Sequence, residues 1–167
     1  MDEIKKFEHT TKNEFYENLC SSLKGLISEE EDWLANLANA SALLWMMMAD
    51  INWAGFYLYK NEELVLGPFQ GKPACTHIKL GKGVCGSAAL LRETQVVKNV
   101  HEFPGHIACD SKSNSEIVVP IIKNNVLIGV LDIDSPLYSR FDETDKKHLE
   151  FFVEILNKYI IYPIKFM

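Results

Sequence analysis

The chain has 167 residues and a mass of 19.0 kDa, 47% apolar and 24% charged, which fits one globular domain with a core of its own and excludes disordered, collagen-like and mucin-like classes. Its 17 basic and 23 acidic residues leave a formal charge of −6, which repels a phosphate backbone and excludes nucleic acid as a partner. Four cysteines are too few for a disulfide scaffold, and Met-Asp-Glu-Ile-Lys-Lys has no apolar signal region, so the expected compartment is the reducing cytoplasm.

Thr11-Lys-Asn-Glu14 has the capping-box pattern that opens a helix. Phe15, Leu19, Leu23 and Leu26 then share one helical face. Ser28-Glu-Glu-Glu31 repeats the pattern and predicts the start of a second helix. The stretch from Trp33 to Ala49 is apolar nearly all round, yet it is too short for a membrane span and contains Asn36, Asn39 and Ser41. We read it as a buried helix, covered on two sides by a sheet and by another helix or a second subunit.

From Asp50 the texture changes to short β-branched and aromatic runs. They predict strands near Ile51–Tyr59, Glu63–Leu66, Ala74–Leu80, Thr94–Lys98, Ser115–Ile122 and Val126–Asp134. Short turns at Lys60-Asn61 and Lys123-Asn124-Asn125 make those neighbours antiparallel hairpins. A short helix is expected after Gly83, through Ser87 to Arg92. Asp142 caps a last helix whose Leu149, Phe152, Val153, Leu156 and Ile160 form a single stripe. The result is an α+β layered domain, its terminal helices packed on one sheet face.

Cys75, Cys85 and Cys109, with His77, His101 and His106, all fall between Ala74 and Cys109. Cys20 stands apart on the first helix as a small packing residue. Cys85 lies at the glycine-rich entry to a helix, where converging N–H groups predict a lowered thiol pKa. Cys109 sits in the long loop Asn99–Ser115, near His106 and Lys112. Loops of about 12 to 15 residues inside a compact domain are commonly functional, and nearby cations favour a thiolate.

Asp132 and Asp134 are two apart on one strand, which points both carboxylates to the same face. Glu116 interrupts an apolar strand beside it. Three acids near one face suggest a site for a cation or a proton donor. Trp53, Tyr57 and Tyr59 share one face of the first strand. If Trp53 and Tyr57 lie with the acids, they wall a pocket for an apolar methyl or methylthio group.

Five segments together resemble the GAF-domain free methionine-(R)-sulfoxide reductases: Ile51-Asn-Trp-Ala-Gly-Phe-Tyr57, Leu66-Gly-Pro-Phe-Gln-Gly-Lys-Pro-Ala-Cys75, Gly81-Lys-Gly-Val-Cys-Gly86, Phe103-Pro-Gly-His-Ile-Ala-Cys-Asp-Ser111 and Gly129-Val-Leu-Asp-Ile-Asp-Ser135. The resemblance implies one GAF domain over 1–167 with a core of about 12–160. Its central six-stranded antiparallel sheet would carry helices on one face and substrate loops on the other. It implies reduction of the free sulfoxide by Cys109 as nucleophile, which passes through a sulfenic acid. Cys75 or Cys85 would resolve that acid as a disulfide, for thioredoxin to reduce. Glu116, Asp132 and Asp134 suit the ammonium of a free amino acid, and one of them, kept protonated, would protonate the sulfoxide oxygen. Trp53 and Tyr57 suit the S-methyl group. No cofactor or metal is implied, and family habit favours a homodimer. The cap argument makes Cys85 the most activated thiol, whereas the resemblance assigns the attack to Cys109. The alternatives are a small-molecule-sensing GAF module without chemistry and a zinc site from Cys75, His77, Cys85 and Cys109.

Overall fold

The computed structural model describes residues 11–105 and 111–163. Helix α1, Lys12–Ile27, opens with the expected capping box, Thr11 Oγ1 accepting from the Glu14 N–H while the Glu14 carboxylate accepts from the Thr11 N–H. Helix α2, Trp33–Met47, begins later than the Ser28 pattern predicts. The Ser28 N–H donates to the Lys24 carbonyl and so closes α1, while the Asp32 carboxylate accepts from the Ala35 N–H at 2.8 Å and caps α2. Asp32, adjacent to the first helical turn, supplies the cap that Ser28 is too far away to provide.

The strands are β1 (Trp53–Lys60), β2 (Glu63–Gly71), β3 (His77–Lys79), β4 (Gln95–Val97), β5 (Ser115–Lys123) and β6 (Val126–Ser135). All neighbours are antiparallel in the order β3-β2-β1-β6-β5-β4, the six-stranded sheet of the expected α+β domain. Strand β2 runs past Leu66 because two of its residues stand opposite Phe56, a bulge that accommodates Pro68 and lets pairing resume at Gly55↔Phe69. Strand β3 is shorter than the expected Ala74–Leu80. Helix α3, Gly83–Leu91, follows the glycine-rich turn as predicted, and α4, Glu143–Tyr159, is capped by Asp142.

Alternation along the strands divides the apolar residues into two cores. Ala54, Phe56, Leu58, Ile117, Val119, Leu131 and Ile133 face α1, α2 and α4. Trp53, Tyr57, Val118 and Val130 face α3 and the connecting segments. Within this chain α2 packs on α1 and the sheet, leaving Leu34 47% and Trp45 41% exposed. Tyr162, in the apolar C-terminal segment, is buried against the first core. Among the described residues, no helix is long and apolar enough to cross a membrane.

Candidate active site

The pocket lies on the α3 face of the sheet. Strand β1 contributes Trp53 and Tyr57, β5 contributes Glu116, and β6 contributes Asp132 and Asp134. Cys85, from the first turn of α3, adds its thiol. The predicted aromatic pair and acid triad therefore line one cavity. Cys75 immediately follows the lining segment Lys72-Pro73-Ala74.

Gly55 stands between Trp53 and Tyr57 and pairs with Asp132 across β6. A Cβ there would lie 2.3 Å from the Phe69 Cβ, so no larger residue fits without displacing β2. With that position empty, the Trp53 ring stacks on both Tyr57 and Phe69, at centroid distances of 5.8 and 5.2 Å. The polar edges of the rings reach outward. Trp53 Nε1 donates to the Lys72 carbonyl at 3.1 Å, and the Tyr57 hydroxyl donates to the Cys75 carbonyl at 3.0 Å. The aromatic wall thus also tethers the cysteine-bearing segment.

Glu116 and Asp132 are buried and hydrogen-bonded to each other. Burial, followed by the charges of Asp132 and Asp134, pushes the Glu116 carboxyl well above the ordinary range. Burial pushes Asp132 up to about 6. Two carboxylates this close cannot both ionise cheaply, so near neutrality the pair retains a proton. Asp132 Oδ1 is buried with no hydrogen-bond partner. The Tyr57 phenol is raised by burial and then by the Asp132 charge.

Cys85 departs from the sequence expectation. Its thiol donates to Glu116 Oε1 at 3.8 Å, and its pKa is raised well above that of a free thiol. Burial is the main cause, followed by the Asp132 and Glu116 carboxylates. Desolvation and two acids outweigh the favourable helix terminus, whose effect amounts to about 0.3–1 kcal/mol at a typical exposed site.

Cys75 is held in a disulfide, whereas Cys20 and Cys85 are free, buried thiols. Cys109 and His106 lie outside the described residues. Of the alternative zinc set, Cys75, His77, Cys85 and Cys109, the described members are not brought together as ligands. A disulfide sulfur is no thiolate ligand, and exposed His77 pairs through Nδ1 with Glu63 Oε1 at 2.7 Å. His101 instead meets Asn114 Oδ1 at 3.0 Å, within the loop. Sequence reasoning missed the roles of Gly55 and Ser113. Gly55 was discoverable as the residue midway between two aromatics on one strand face. Ser113, which lines the pocket and accepts from Asn52 Nδ2 at 3.0 Å, carries no comparable signal.

The GAF domain family matches residues 32–160. A free methionine-R-sulfoxide reductase of Escherichia coli strain K12 is 52% identical over 147 residues, which cover 88% of this chain and 89% of the relative. The Saccharomyces cerevisiae protein of the same name is 47% identical over 169 residues, covering 96% and 94%. Among solved structures, free methionine-R-sulfoxide reductase of Neisseria meningitidis in complex with its substrate superposes with a TM-score of 0.89 at 44% identity, covering 92% of each chain.

Proposed function

Because the chain belongs to the GAF-domain family of free methionine-R-sulfoxide reductases, we propose that it reduces free methionine-(R)-sulfoxide to methionine as one GAF domain, with its own cysteines as the reductant. The observation that carries this reading is the unpartnered, buried Oδ1 of Asp132, a residue that lines one cavity with Glu116, Trp53 and Tyr57. A buried acceptor without a donor costs about 1–3 kcal/mol, which a ligand ammonium recovers. Asp134 adds a further negative group, and the aromatic rings supply an apolar wall for the S-methyl group.

In this scheme the Cys109 thiolate attacks the sulfoxide sulfur while the Glu116–Asp132 pair protonates the oxygen. The S–O bond breaks, the oxygen passes to Cys109 as a sulfenic acid, and methionine leaves reduced by two electrons. The Cys75 thiolate then attacks the Cys109 sulfur, a disulfide closes and water departs. Thioredoxin returns both cysteines to thiols by exchange. Cys75 is favoured over Cys85 as the resolving residue because Cys75 forms a disulfide, whereas Cys85 is a buried, protonated thiol bonded to Glu116.

The experiment is a thioredoxin-coupled assay that compares R with S sulfoxide and free with peptide-bound substrate. Turnover confined to the free R form is expected. Equal turnover of the peptide-bound form would refute the ammonium site, and no turnover with any sulfoxide would favour a sensing module.

A further inference from the structure

Cys85 Sγ and one carboxylate oxygen each from Glu116 and Asp132 all lie within 4.8 Å of one another, and all three residues are buried. The proposed reaction uses the two acids as a proton store and leaves the thiol aside. Taken together, these groups are one soft and two hard donors, a combination suited to a borderline ion. With Zn–S of about 2.3 Å and Zn–O of about 2.1 Å, a tetrahedral zinc centre has an S–O edge of about 3.6 Å. Cys85 Sγ stands 3.8 Å from Glu116 Oε1, so that edge is already nearly the required length.

A second observation comes from Asp132. Its side chain lines the cavity, only 6% of the residue is exposed, and Oδ1 has no hydrogen-bond partner. Asp132 thus keeps one buried oxygen without a donor, in a residue that lines the cavity and belongs to this cluster, and a cation would satisfy it.

We propose that Cys85, Glu116 and Asp132 form a three-ligand site for Zn2+, with the fourth position open to the pocket. Magnesium and calcium do not suit it, because each favours six or more oxygen ligands and neither favours sulfur. Zinc displaces the thiol proton and the proton of the acid pair on binding. The metal site stands without the reductase reading. If that reading holds, the ion occupies the oxygens that would meet the substrate ammonium, so zinc and amino acid exclude each other and the metal inhibits the enzyme.

The test uses the full chain with the Cys75 disulfide formed, which removes that sulfur as a ligand. Co2+ is titrated as a spectroscopic probe. One equivalent should produce a near-ultraviolet thiolate-to-cobalt band, which Zn2+ abolishes and excess Mg2+ leaves unchanged. Cys85→Ser should eliminate the band, and Asp132→Asn should weaken Zn2+ binding at least tenfold by calorimetry, both variants being checked for native circular dichroism. A band that survives Cys85→Ser, or no thiolate band in the unaltered protein, would overturn the proposal. Methionine tests the mutual exclusion. If methionine quenches tryptophan fluorescence yet leaves the zinc affinity unchanged, the two do not share the acid site, and the Cys85→Ser and Asp132→Asn titrations decide whether the metal occupies it. If methionine does not bind at all, the amino-acid reading fails, and the cobalt spectrum alone decides the metal site.

Discussion

Glu116 on β5 and Asp132 on β6 face each other diagonally, since Glu116 pairs with Asp134 and Val118 with Asp132 in the strand register. Each residue is 6% exposed, and both carboxyls have raised pKa values. An acid whose pKa is higher folded than unfolded binds more protons in the native state between those two values. Stability is therefore greatest at low pH with respect to this pair, falls as pH rises through about 4 to 6 for Asp132, and stays reduced above that. Glu116→Gln removes one acid while keeping the shape. We expect its melting temperature to rise by about 3 °C or more at pH 8, with little change at pH 4, as about 1 kcal/mol corresponds to about 2–4 °C for a chain of this size. Equal effects at both values would contradict the shared-proton account.

The cysteines divide by environment. Cys109→Ser should abolish turnover, and Cys75→Ser should allow about one methionine per protein before stopping, since the sulfenic acid forms without its resolving partner. Cys85→Ser should retain multiple turnovers at a reduced rate, because the Cys85 thiol contacts Glu116 and is not in a disulfide. Quenched-flow counting of methionine against enzyme separates the three outcomes. Normal recycling by Cys75→Ser would exclude its resolving role.

Gly55→Ala probes the packing of the aromatic wall. The added methyl meets the Phe69 Cβ at 2.3 Å, so β1 and β2 must separate and the Trp53–Phe69 stack must open. Overpacking of this kind costs about 1–3 kcal/mol. Chemical denaturation should register the loss, with a weakened near-ultraviolet circular dichroism signal. An unchanged midpoint would mean that the strands yield freely.

Asp145, fully buried at the start of α4, is the anchor of the opposite face. It accepts from the Tyr16 hydroxyl at 2.7 Å, from Lys12 at 2.6 Å and from Arg140 at 3.4 Å, and so ties α1 to α4. Arg140 in turn donates to the Ala49 carbonyl beyond α2. Asp145→Ala strands these donors and should cost about 3–5 kcal/mol. Lys12→Met, at a side chain 35% exposed, should cost about 1 kcal/mol or less. Comparable losses in urea melts would remove Asp145 as the centre of the network.

Much of the site was legible because period-two alternation carries face information. Once β6 is a strand, Asp132 and Asp134 must point away from Leu131 and Ile133, and Trp53 must share a face with Tyr57. The capping box at Thr11 and the cap at Asp142 were equally legible, being local hydrogen-bond patterns of a few residues. The false start at Ser28 has a local cause, namely two competing caps four residues apart. In the structure Ser28 belongs to the preceding helix, and Asp32 alone is placed to cap the next one.

By itself, then, the sequence determined the α+β order of elements, the two faces of each strand, the kinship with the reductase family, and which aromatics and acids share a surface. Only the tertiary structure decided the ionisation of Cys85 and the pairing of Glu116 with Asp132. A helix terminus is a local feature and predicts a thiolate, but desolvation depends on everything packed around the sulfur. The carboxylates that raise the Cys85 pKa come from residues 116 and 132, more than thirty positions away in the chain. Burial and long-range charge are properties of the assembled pocket, and here they outweigh the local cap.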